Sequence, residues 1–128
     1  MVPEIRYIHK KEKLRNAAIR ILNEGIGSLI VMDEDNKPIG IITKRDIIRA
    51  LIFEGQDPDT ITVEEVMNKP LITVNADEPI ETVLEIMYRH NISHLPVEEK
   101  GRLIGIISDY DIVELFKDMI DIFRNKLS

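Results

Sequence analysis

Residues 25–48 read GIGSLIVMDEDNKPIGIITKRDII, and residues 91–113 read NISHLPVEEKGRLIGIISDYDIV. The second stretch is a copy of the first. Gly40-Ile41-Ile42-Thr43 and Asp46 return as Gly105-Ile106-Ile107-Ser108 and Asp111, a shift of 65 residues. Upstream of the loop between them, Ile26, Leu29 and Val31 return as Ile92, Leu95 and Val97, now at a shift of 66. The difference is a single loop residue. Further back, Leu14, Ala17, Ala18 and Ile21 match Ile80, Val83, Leu84 and Met87, and Tyr7 answers Thr73. A repeat of this size decides the architecture, because each copy is one supersecondary unit that leaves an apolar face to be covered.

Each copy predicts the order strand, helix, strand, strand, helix. Short extended pieces are expected at 5–8 and 71–74. The spacings 14/17/18/21 and 80/83/84/87 place one apolar stripe on a helix. β-rich runs follow at 28–32 and 94–97, then polar turns at 33–37 and 98–101. The next strands, 39–42 and 103–107, are almost wholly apolar and are expected to be buried on both faces. Helices are expected over 44–53 and 109–124. Between the copies, Gly55-Gln56-Asp57-Pro58 is a breaker cluster, and Thr62-Val63-Glu64-Glu65 reads as a capping box opening one helical turn through Met67. The repeats are placed at 1–62 and 63–128. Each is small enough to be marginal alone, so the two are expected to share apolar faces in one α/β module.

Composition narrows the function. The chain has 128 residues, 44% hydrophobic and 31% charged, with no cysteine and a formal net charge of −6. The length is sufficient for a core without a disulfide or metal staple, and the missing thiols exclude cysteine nucleophiles and thiolate zinc sites. The acidic balance argues against a nucleic-acid-binding domain. No apolar run approaches the roughly 20 residues of a membrane helix, and the opening residues lack a signal-peptide core. A cytoplasmic protein without membrane insertion is expected.

The sequence closely resembles a tandem pair of CBS domains, the Bateman module. The motifs carrying the resemblance are the linker Val63-Glu64-Glu65-Val66-Met67-Asn68-Lys69-Pro70, then Ile72-Thr73-Val74, then Asn91-Ile92-Ser93-His94-Leu95-Pro96-Val97, and the Gly-Ile-Ile-Thr/Ser-x-x-Asp signature once in each copy. The first copy departs more from the pattern, with Lys11 where the second has Asp77 and Ser28-Leu29-Ile30 in place of His94-Leu95-Pro96. The resemblance implies two βαββα units related by a pseudo-twofold axis. It also implies an adenosyl ligand (AMP, ADP or ATP foremost, or S-adenosylmethionine) in the cleft between them, and a regulatory, energy-sensing role toward an unknown partner protein. No obligatory cofactor is implied.

The signature has its own chemistry. Thr43-x-x-Asp46 and Ser108-x-x-Asp111 sit where an apolar strand gives way to a helix. Free backbone N–H groups there favour a phosphate, and the hydroxyl adds a donor. An Asp one turn in repels phosphate but accepts hydrogen bonds from both hydroxyls of a ribose. The resemblance assigns the same roles and places the ligand against Tyr7, Ile8, Ser28, Leu29, Ile30 and Arg45 in the first copy. In the second it places it against Thr73, Val74, His94, Leu95 and Pro96. The competing reading is a helix-capping box and nothing more, although Glu or Gln is the usual fourth residue. One hydroxyl can serve both purposes.

Charge separates the copies. Lys44, Arg45 and Arg49 surround the first signature, whereas Asp109, Tyr110 and Glu114 surround the second, so phosphorylated ligands are expected to prefer the first site. Arg89, His90 and His94 are candidates for reaching a phosphate from the other repeat. No metal site is expected: Asn91 and Pro96 break any helix common to His90 and His94, and Asp33-Glu34-Asp35-Asn36 lacks the glycine and distal glutamate of a calcium loop. No nucleophile, base and orienting group can be assembled, so the chain is not expected to be an enzyme. The last helix carries Ile112, Val113, Leu115, Phe116, Met119, Ile120, Ile122 and Phe123, too wide a set for one core-facing stripe. A homodimer through Phe116, Met119, Ile120 and Phe123 is expected. The alternative function is a ligand-independent dimerisation or scaffold protein of the same fold.

Overall fold

The computed structural model describes residues 5–127. Met1–Glu4 and Ser128, which the two repeat spans include, lie outside the described residues. The chain divides into two compact units, one over Ile5–Ile72 and the other from Thr73 onward.

The first unit runs β1 (Tyr7–His9), α1 (Leu14–Glu24), β2 (Ser28–Met32), β3 (Pro38–Thr43) and α2 (Lys44–Ile48), followed by a π-helical turn at Arg49–Phe53. The second runs β4 (Val74–Asn75), α3 (Ile80–His90), β5 (His94–Glu99), β6 (Arg102–Ser108) and α4 (Asp109–Leu127). Each is a βαββα unit whose three-stranded sheet has the central strand parallel to the first strand and antiparallel to the third. The repeat extends to irregularities. The antiparallel register shifts between Val31 and Met32 in one sheet and between Val97 and Glu98 in the other.

Local chemistry explains the elements. α1 buries Leu14, Ala17 and Ile21 and ends at Gly25, whose φ of 63° suits glycine; α3 buries Val83 and Met87 and ends at Asn91, also left-handed at φ 51°. The β2–β3 turn is closed by the Asp33 carboxylate, which accepts the Asp35 and Lys37 N–H groups at 2.8 and 3.0 Å. Those bonds, with Lys37 the stronger cause, hold the Asp33 carboxyl below its ordinary range. The core of the first unit joins Ile8, Leu14, Ala17, Ile21, Leu29, Val31, Ile42, Ile47 and Ala50 to Val63.

Val63 is notable because it lies in the segment between the copies, and that segment is stitched to the first unit. Its N–H donates to Glu12 O at 2.8 Å, and that of Glu64 to Lys10 O at 3.0 Å. The Glu64 carboxylate meets Lys11 Nζ at 2.7 Å. The Thr62–Glu65 capping box forms as expected around a 3₁₀ turn at Val63–Glu65. Asn68 and Ile41 exchange backbone hydrogen bonds of 2.8 and 3.1 Å, so the linker lies along the outer edge of β3. The compact units therefore divide at Ile72/Thr73, beyond the repeat boundary.

The helix expected over 44–53 forms with those bounds, its second half widened to π spacing where Glu54 N–H reaches Arg49 O at 3.0 Å. One local expectation is corrected. Burial on both faces holds for Gly40–Thr43 of β3 but not for β6, where Leu103, Ile104 and Ile107 are half-buried. Among the described residues, no segment bridges to the outer edge of β6 as the linker does to β3.

Candidate functional site

The strand-to-helix junction of the first unit is a closed polar cluster. Thr43 is the N-cap of α2, with extended φ and ψ of −117° and 167°. The Thr43 N–H and hydroxyl both donate to Asp46 Oδ2 at 2.9 Å, and Asp46 N–H returns a bond of 3.3 Å to Thr43 Oγ1. Asp46 is only 3% exposed. A carboxylate so enclosed needs compensation, and it is supplied from two further directions. Asn68 Nδ2 donates to Oδ2 at 2.7 Å, and Arg49 Nη2 approaches Oδ1 at 3.3 Å.

The second junction repeats the box in looser form. Ser108 N–H donates to Asp111 Oδ2 at 2.9 Å and Asp111 N–H to Ser108 Oγ at 3.1 Å, with both residues half-buried. Asp111 borders a recess of about 390 Å³ lined by Ile80, Ile107, Ile112, Glu114 and Leu115. Asp109 is turned to the backbone, accepting Tyr110 N–H at 2.8 Å.

The remaining sequence candidates divide between sheet faces. Ser28 lies opposite Thr43, and Ile30 pairs with Tyr7, so alternation puts Tyr7, Ser28 and Ile30 on one face. Ile8 and Leu29 take the other, in the core beside Leu14 and Ile42. The second sheet follows suit: His94 opposite Ser108 shares a face with Pro96, whereas Leu95 shares the other with Val97 and its neighbour Val74. Thr73 directly precedes β4. A recess of about 390 Å³ between β1 and α1 contains Tyr7 and Ile8 but neither Thr43 nor Asp46.

The phosphate candidates fare differently. Lys44 and Arg45 are exposed at the start of α2, while Arg49 is turned to Asp46. Arg89 is ion-paired with Glu85 one turn earlier on α3. His90 ends α3 and His94 opens β5, where its Nδ1 lies 3.1 Å from Ser93 Oγ. Among the described residues, no group of three or more His, Asp or Glu side chains is placed to hold a metal ion. The site residue that sequence reasoning missed is Asn68. It stood inside the linker motif, but a contact spanning 22 positions leaves no periodic trace.

Paired βαββα units of this kind have counterparts in known proteins. The family model described as CBS domain matches residues 1–53 and again 63–118. The chain belongs to the CBS-domain family. As a tandem CBS pair it is similar to a solved uncharacterized conserved protein from Pyrococcus horikoshii, with a TM-score of 0.81 and 34% identity over 90% of this chain and 86% of that one. An uncharacterized protein from Methanopyrus kandleri is 35% identical over 77% of this chain and 50% of its own length. An L-aspartate semialdehyde sulfurtransferase from Methanocaldococcus jannaschii is 36% identical over 84% of this CBS pair, but the match occupies only 20% of that enzyme. The chain thus spans half or less of these two curated relatives. Among the described residues, no helix is long and apolar enough to cross a membrane.

Proposed function

We propose that this CBS pair is a non-catalytic regulatory module in the cytoplasm that binds an adenosyl nucleotide (AMP, ADP or ATP, with S-adenosylmethionine as a further member of the class) and changes the activity of a partner protein when occupied. The observation that carries this reading is the hydroxyl–aspartate box present twice at a strand-to-helix junction. The carboxylate holds ribose hydroxyls, and the helix-start N–H groups with Thr43 or Ser108 hold phosphate. Exposed Lys44 and Arg45 are the phosphate side of the first site, and His90 remains a phosphate candidate. Tyr7, Ser28 and Ile30, with Thr73, His94 and Pro96, are the sheet residues against which the adenine would lie.

Binding is tested by calorimetry with AMP and ATP. Asp46→Asn and Asp111→Asn are each expected to weaken one binding event by about 1–3 kcal/mol, the scale for lost hydrogen bonds to a charged group. Affinity unchanged in the double variant would overturn the proposal. A thermal shift gives an independent check, since ligand at 100 times its dissociation constant adds about 2.7 kcal/mol.

A second reading, ligand-independent dimerisation, is favoured by α4. Phe116, Met119, Ile120 and Phe123 are 42–62% exposed, on a helix that also carries Lys117, Asp121 and Arg124. In either reading the assembly proposed is a homodimer through this face. Phe123→Asp places a charge where interface cores exclude it, and light scattering should then show a dimer become a monomer. An unmodified protein that is monomeric at micromolar concentration would reject the dimer.

A further inference from the structure

Buried Asp46 has an exposed partner in the linker. The side-chain amide of Asn68 donates to Oδ2 at 2.7 Å. An amide N–H and a ribose O–H are equivalent donors to a carboxylate, and Oδ2, which already accepts two donors from Thr43, has room for only one more. From this we infer that Asn68 is an internal occupant of the first site and competes with the ligand for Asp46. The inference rests on the nucleotide reading above and adds to it a regulatory residue outside the CBS signature.

The backbone around Asn68 gives the competition a consequence. Asn68 is paired in both directions with Ile41, and Gly40 permits that approach, since a Cβ there would lie 2.6 Å from Asn68 O. Ahead of it, the linker is fastened through Val63 and Glu64; beyond it, the chain leads through Lys69 and Pro70 into the second copy. Asn68 is thus the last side chain tying the linker to the first unit's polar cluster. A ribose hydroxyl that takes Oδ2 releases that tie, so occupancy of the first site is passed to the segment that joins the copies. Arg49, on Oδ1, is not displaced by the same exchange.

The test isolates the first site in an Asp111→Ala background and titrates AMP by calorimetry, with and without Asn68→Ala. Because Asn68 is exposed, its truncation is expected to leave the fold intact, which a melting curve verifies. Removing the competitor should tighten AMP binding about tenfold, equivalent to about 1.4 kcal/mol. AMP should also shift the Asn68 side-chain amide resonance in the chain that retains it. AMP binding that Asn68→Ala leaves unchanged or weakens would overturn the competition and spare the nucleotide reading. No AMP binding in either chain would overturn both.

Discussion

Asp46→Ala is expected to destabilise the ligand-free protein by about 3 kcal/mol, and Asp111→Ala by only about 1 kcal/mol. The same residue type is removed in both cases, and the surroundings set the difference. At 3% exposure, Asp46 satisfies the Thr43 N–H, the Thr43 hydroxyl, Asn68 Nδ2 and Arg49. Its loss strands the Thr43 donors in a buried junction, where water cannot replace the carboxylate. A buried donor without a partner costs about 1–3 kcal/mol. Exposed Asn68 and Arg49 return to water at little cost, and removing a buried charge gives back part of its desolvation penalty; these terms keep the total from rising further. Asp111 is half-buried beside an open recess, so Ser108 regains water when it is truncated. Urea unfolding of both variants measures the contrast. Equal losses would mean that the enclosure of Asp46 contributes nothing to stability.

Gly40→Val is expected to destabilise by a similar amount, about 3 kcal/mol. An ideal Cβ at this position falls 2.6 Å from the carbonyl oxygen of Asn68 and 2.9 Å from Met67 Sδ. The methionine can swing aside. The carbonyl cannot, because it belongs to a residue bonded in both directions to Ile41. Relief therefore requires the linker to lift from β3, losing two backbone hydrogen bonds of about 0.5–1.5 kcal/mol each, or overpacking of about 1–3 kcal/mol. Valine's preference for strands offsets part of this, on a scale of about 1 kcal/mol. Gly40→Ala should already show most of the loss, since the clash begins at the first added atom. Gly25→Ala is the control: its Cβ meets nothing within 4 Å, and only the left-handed φ of 63° opposes it, at about 1–2 kcal/mol. A urea midpoint for Gly40→Val equal to that of the unmodified protein would show that the linker is not held against β3.

Much of the fold was legible because it is periodic and local. The stripe Leu14, Ala17, Ile21 marks a helix whatever surrounds it, and these residues are buried together in α1. β2 falls at Ser28–Met32 as read, since a run of β-rich residues between turn residues needs no distant partner to be recognised. The repeat contributed most, because a motif found once is ambiguous and the same motif in register twice is not. The misreading fell where packing overrides local pattern: β6 is half-buried, although its apolar run matches that of β3.

By itself the sequence determined the βαββα order of each copy, the capping boxes at Thr43, Ser108 and Thr62, and the candidate roles of Asp46 and Asp111, all set by interactions within a few residues of one another. Only the tertiary structure decided that Leu29 and Ile8 face the core while Ser28 and Tyr7 take the opposite face. It alone decided that Arg49 is directed to Asp46, and that a linker asparagine 22 positions away closes the first site while the second borders a recess. The physical reason is range. A cap, a stripe or a turn is encoded by neighbours along the chain, whereas the burial of a carboxylate and the identity of its last partner depend on which distant segment packs over it.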